Sequence, residues 1–101
     1  MDIARSKNNV PIRLTAERWV HITEEHSELA GYYFTLLETL EDPEAIYEGT
    51  SGEYLAVKEI EEGKYLVIVY KEVSKEDGFV ITAFLTRRKT QLERRRKIWP
   101  R

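Results

Sequence analysis

Six consecutive residues, Tyr65-Leu66-Val67-Ile68-Val69-Tyr70, are apolar whichever way an extended chain turns them. A strand with one wet face alternates apolar and polar side chains, because successive residues point to opposite faces. A run without alternation belongs where both faces are covered, so this segment reads as the central strand of a sheet. Its neighbours supply pairing partners. Tyr54 to Ile60 is a second strand, joined to it by the hairpin loop Glu61-Glu62-Gly63-Lys64. Phe79 to Thr86 is a third, after a turn at Ser74 to Gly78. Ala45 to Glu48 is a short fourth, followed by the turn Gly49-Thr50-Ser51-Gly52.

Upstream the apolar period becomes helical. Val10-Pro11-Ile12-Arg13-Leu14 is a short extended lead-in, with Pro11 barring an early helix. Thr15 is then an N-cap, and Glu17 puts a carboxylate in the first turn, where the helix dipole favours it. Trp19, Ile22, His26 and Leu29 recur at helical spacing and define one buried stripe, broken by Gly31. A second helix covers Tyr32 to Leu40, with Tyr33, Leu36, Leu37 and Leu40 on its apolar face. It ends at Glu41-Asp42-Pro43, since the residue before proline is pushed out of the α region. A basic closing helix is expected over Gln91 to Ile98, stopped by Pro100. The fold class is therefore α+β: N-terminal helices packed on a four-stranded antiparallel sheet, with a short basic C-terminal helix. The expected organisation is a flexible, frayed segment over 1–9, one α+β domain over 10–88, and a basic helix or tail over 89–101.

A chain of 101 residues can bury one modest core as a single domain. It has no cysteine, which removes disulfides and thiolate metal sites and is compatible with a reducing compartment. No apolar run approaches the roughly 20 residues of a membrane helix, and Met1 to Asn9 lacks the apolar stretch of a signal peptide. The expected location is the cytoplasm, with no membrane partner. The net charge of −2 conceals a split. Leu85 to Arg101 carries eight Lys/Arg against one acid, Glu93, whereas Met1 to Phe84 carries eight against 17 acids. A local basic stripe can contact phosphate whatever the overall charge, so the split is a partner signal. The competing reading is a solvated, charged terminal helix on a heat-tolerant protein.

Several chemistries fall away. His21 and His26 lie about 140° apart around a helix, so they cannot form a same-face zinc pair. His21 and Glu25 have the right spacing, but two ligands do not make a site. There is no nucleophile elbow and no glycine-rich phosphate loop. Neither a metal nor a cofactor is expected. What remains is Arg18, His21 and His26 on the first helix, with Thr82, Thr86, Arg87 and Arg88 on or just after the last strand. Arg18 and His21 are one turn apart and share a side. His21 falls off the apolar stripe and can reach solvent beside the sheet. Thr82, Phe84 and Thr86 share one strand face. Two hydroxyls with an aromatic between them, then two arginines, suit a phosphodiester and a stacked base. Each residue also has an ordinary explanation. A surface histidine such as His21 usually has no special role, and His26 on the stripe reads first as a core histidine. Strand threonines are common, and Arg87 and Arg88 can simply flank a helix start.

In combination the segments resemble a known group. They are Arg13-Leu14-Thr15-Ala16-Glu17-Arg18-Trp19-Val20-His21-Ile22 with His26, then Leu36 to Glu44, Tyr65 to Tyr70, and Asp77 to Arg88. Their order and spacing resemble the barnase–EndoU–colicin E5/D–RelE superfamily of small nucleases, in particular its short phage-associated and toxin-like members. The likeness spans about Val10 to Arg88. Arg18-x-x-His21 and Thr82-x-Phe84 are similar to the colicin D-like pairing of a basic residue with a histidine one turn on, and of a hydroxyl with an aromatic on a late strand. Arginine stands where lysine is usual, threonine where serine is usual, and the body is acidic where such nucleases are often basic.

The resemblance implies a metal-independent endoribonuclease of toxin type, with RNA (tRNA or mRNA) on the open sheet face and the substrate's 2′-hydroxyl as nucleophile. It implies His21 as general base or acid, His26 as a second proton carrier, Arg18 and Arg87 as phosphoryl clamps, and Thr82 as an orienting donor. Phe84, Thr86, Arg88 and Lys71 would then contact RNA. An antitoxin protein is an implied partner, and a homodimer is left open. Two competing expectations are a catalytically inactive RNA- or protein-binding module on the same fold, and a subunit whose basic tail docks on an acidic protein.

Overall fold

The computed structural model describes residues 1–101. In chain order the elements are β1 (Asp2–Arg5), β2 (Pro11–Leu14), α1 (Ala16–Glu25), a 3-10 turn (Ser27–Leu29), α2 (Tyr33–Glu41), β3 (Ala45–Glu48), β4 (Tyr54–Glu61), β5 (Lys64–Ser74), β6 (Asp77–Thr86), α3 (Lys89–Glu93) and β7 (Lys97–Trp99). The strands form one seven-stranded sheet in the order β1-β2-β6-β5-β4-β3-β7. The apolar run is the middle of β5, fourth of seven. Leu66, Ile68 and Tyr70 join the core beneath α1 and α2. Tyr65 and Val67 join a second cluster on the opposite face, closed by Leu92 of α3.

The α+β class holds, but the sheet is larger than the four expected strands and is not wholly antiparallel. β2 runs parallel to β6, pairing Ile12 with Gly78 and Arg13 with Phe79. Residues 1–9, expected to be frayed, carry β1, which pairs antiparallel with β2 across four positions. Ala4 is buried against the main core. The loop after it is tied down: Ser6 donates to Glu72 Oε2 at 2.5 Å and Asn8 donates to Glu72 Oε1 at 2.9 Å. The basic closing helix is also shorter and earlier than expected. It spans Lys89–Glu93, and the chain then returns as β7 alongside β3. Once Leu92 is buried under the sheet, the apolar side chains of Ile98 and Trp99 gain more from the β3 edge than from a continued, solvated helix.

Two contacts hold the parallel junction. Arg13 donates to both carboxylate oxygens of Asp77, at 2.8 and 3.1 Å. The Arg13 side-chain hydrogen bond, more than its charge, holds the Asp77 carboxyl below its usual range. Gly78 sits where a Cβ would lie 2.6 Å from the Lys71 carbonyl oxygen and 2.5 Å from Ile12 Cδ1. Only glycine allows the strands to approach this closely.

Two predictions follow from this junction. Gly78→Ala should destabilise the fold by about 1–3 kcal/mol through overpacking. Gly31→Ala, whose Cβ would meet nothing within 4 Å, should melt at or slightly above the wild-type temperature. Equal melting points for the two variants would refute the steric account. Because the Asp77 carboxyl is depressed in the fold, its contribution is complete above the ordinary value of 3.8 and fades as pH falls through the lower folded value. Asp77→Asn should therefore melt below wild type at neutral pH, with the gap closing under acid well below pH 3.8. A gap that is constant with pH would show that the ion pair contributes nothing.

Candidate active site

The site arises where β2 stops pairing. β2 accompanies only the first residues of β6 and ends at Leu14. Thr15 then caps α1, its side chain accepting from the Arg18 backbone N–H at 3.0 Å. The helix continues beside the part of β6 that β2 leaves uncovered, and Arg18 Nη1 donates to the Ile81 carbonyl at 3.3 Å. Ile81 has no partner on β5, because the ladder pairs Val80 with Tyr70 and Thr82 with Val69. It is the extra residue of a β-bulge. A bulge reverses the side-chain alternation beyond it. Val80 accordingly enters the core under the helices, whereas Thr82, two residues on, opposes Val69 on the other face.

An open hollow of about 340 Å³ forms at this place. Arg18, His21, Glu25 and His26 line it from the helix side, and Ile81 and Thr82 line it from the strand. His21 is exposed, in keeping with its position off the stripe, while Ile22 beside it is buried. His26 is half-buried, not a core histidine. It ends α1, where its backbone N–H donates to the Ile22 carbonyl at 2.8 Å, and its ring lies 6.4 Å from Phe84 between centroids. Glu28 Oε1 lies 3.5 Å from His26 Nδ1 and would pair with the protonated ring. On the other side of Arg18 a smaller hollow is lined by Arg13, Thr15 and Phe79, so two guanidinium groups border the approach.

Four of the expected site residues, Arg18, His21, His26 and Thr82, thus meet in one hollow, with Phe84 adjoining through His26. Thr86 and Arg88 lie with Phe84 in a neighbouring hollow against α3. The Thr86 hydroxyl accepts from the Arg88 backbone N–H at 3.0 Å and shapes the turn out of β6. Arg87 is not brought to the His21 hollow; its guanidinium lies beside Gly63 in the β4–β5 turn. Lys71 opposes Phe79 and is exposed, outside the hollows described. Glu25 is the lining residue that the sequence reading left without a role, although its four-residue separation from His21 already placed both on one helix face. The two imidazoles and Glu25 do not form a metal-binding group. No helix is long and apolar enough to cross a membrane.

α1 and α2 thus pack on one face of the sheet and α3 on the other, and imidazole, guanidinium and hydroxyl groups gather in an open hollow at the bulged strand. The family model described as phage-Barnase-EndoU-ColicinE5/D-RelE like nuclease 2 matches residues 2–99, and the chain belongs to that family. No curated protein and no solved structure matches the chain.

The cap is the local feature on which Arg18 and His21 depend. Thr15→Ala should cost about 1 kcal/mol of stability, seen as a lower denaturation midpoint with an unchanged slope. Thr15→Asn, which can accept the same bond, should restore most of it; a midpoint as low as that of the alanine variant would refute the role of the cap.

Proposed function

We propose that this protein is a metal-independent endoribonuclease of toxin type, cleaving RNA by transesterification through the substrate's own 2′-hydroxyl. The observation that carries the reading is the meeting of two imidazoles, the Arg18 guanidinium and the Thr82 hydroxyl in one open hollow. Membership of a nuclease family supports the class of reaction.

The chemistry requires three things of the chain. A neutral imidazole accepts the 2′-hydroxyl proton as that oxygen attacks the adjacent phosphorus. The P–O5′ bond breaks, and a protonated imidazole donates a proton to the departing 5′ oxygen. His21 and His26 flank the same space and supply this pair. Charge that builds on the phosphoryl oxygens is met by Arg18, which is fixed in direction by its bond to the Ile81 carbonyl, and by Thr82 as a hydroxyl donor. Arg87, at the end of β6, takes a flanking phosphate rather than the reacting one. The products are a 2′,3′-cyclic phosphate and a free 5′-hydroxyl. DNA lacks the nucleophile and is left intact.

The acidic body limits non-specific affinity, since phosphate contacts supply most of it. The substrate is therefore held by few contacts, and a structured or specific RNA, tRNA or mRNA, fits better than bulk RNA. A cytoplasmic setting and an antitoxin partner belong to the same reading.

Wild type, His21→Ala and His26→Ala, each checked for folding by circular dichroism, should be incubated with total RNA in EDTA. Wild type should cleave and leave cyclic phosphate ends, and each variant should lose about 10²–10⁴-fold in rate. Cleavage that EDTA abolishes, or that His21→Ala retains in full, would overturn the mechanism. Absence of cleavage across several RNA pools would favour the inactive binding module.

A further inference from the structure

The second hollow has a composition of its own. Phe84, Leu55 and Leu92 give it an apolar floor, and Gln91, Arg88 and Arg95 stand around the rim. Its volume is about 130 Å³, and Phe84, which lines it, also lies 6.4 Å from the His26 ring between centroids, tilted by 41°. The ion pairs within 4.0 Å are Lys7–Asp42, Arg13–Asp77 and His26–Glu28, so neither Arg88 nor Arg95 is neutralised by a carboxylate. Glu53, in the β3–β4 turn, accepts from the Ser51 N–H at 2.7 Å, which is the main cause of its lowered pKa; the Arg95 charge adds to that lowering without an ion pair within 4.0 Å. Two guanidinium groups without a direct ion-pair partner, beside a half-exposed aromatic ring, form a surface for a flat, acceptor-rich anion.

We propose that this hollow is a base-reading subsite for the nucleotide next to the cleaved bond, and that it selects guanine. The first clause rests on the ribonuclease reading; the base preference stands on the composition of the hollow. Phe84 provides the stacking face. Arg88, fixed by its backbone bond to Thr86, takes the adjoining phosphate. Arg95 follows α3, where its backbone N–H donates to the Leu92 carbonyl at 3.0 Å, and presents paired donors to the base edge. Guanine offers adjacent acceptors, O6 and N7, whereas adenine and cytosine put an amino donor in that place and uracil has no second acceptor adjoining O4. The Gln91 amide oxygen accepts from guanine's N1–H or N2–H₂. α3 is thus a specificity element, and the buried Leu92 is what sets it against the sheet.

Guanosine, adenosine, cytidine and uridine 3′-monophosphates should be titrated into labelled wild type, Arg95→Ala and Gln91→Ala and followed by backbone amide shifts. The guanosine nucleotide should move Phe84, Thr86 and Gln91 and bind at least about tenfold more tightly than the others, a preference that Arg95→Ala removes. Equal binding of the four nucleotides, or shifts clustered away from α3, would overturn the proposal. A parallel cleavage assay on short RNAs varied at the positions flanking the cut separates the two readings. Cleavage whose base preference survives Arg95→Ala defeats the subsite and leaves the ribonuclease standing. Guanine binding at α3 without any cleavage defeats the ribonuclease and leaves the subsite standing.

Discussion

The brevity of the parallel pairing between β2 and β6 governs the rest of the architecture. Two paired positions are enough to fix β2 beside β6, and the Arg13–Asp77 fork and the missing Cβ of Gly78 hold them there. Had β2 continued, it would have covered the whole edge of β6 and left no place for α1. Instead Thr15 turns the chain into a helix, and the exposed edge of β6 meets side chains in place of a backbone ladder. A sheet edge left bare invites pairing with other chains. Here α1 covers it, and the Ile81 carbonyl that the bulge leaves outside the ladder is taken by Arg18. The cover of the edge and the wall of the hollow lined by Arg18, His21 and His26 are the same helix.

The opposite charges of the two parts of the chain acquire a structural sense from β7. A basic tail that stayed detached would attract phosphate at no defined place. β7 instead pairs with β3, and the Glu48 N–H donates to the Arg96 carbonyl at 2.8 Å, which returns the chain to the sheet. Leu92 anchors α3 on the face opposite the two main helices. Arg95, between these two anchors, is held with Arg88 around the hollow that Phe84 lines. Low net charge and a concentrated cationic rim act together: the body repels polyanions in general, while the rim rewards one placed correctly.

Much of the fold was legible in the sequence. The unalternating run at Tyr65 to Tyr70 lies in the central strand, and Thr15 and Asp42-Pro43 mark the start of α1 and the end of α2 within a residue or so. The stripe expected to continue through Leu29 to Gly31 is instead broken at His26: α1 ends at Glu25, and Leu29 is buried from a separate 3-10 turn. β1 and β7 were invisible because each is only three or four residues long and neither carries a distinctive pattern. They are strands because an edge is available to them, and β1 is held further by Ser6 and Asn8 bonding Glu72, more than sixty residues away. For the site, helical geometry joined Arg18 to His21, and period-two alternation joined Thr82 to Phe84. Nothing local announced the bulge at Ile81. Without it, Val80 and Thr82 would share a face, and the hydroxyl would lie in the core. Glu25 was within reach of the same helical reasoning that linked Arg18 and His21, and was set aside because only its value as a metal ligand was weighed.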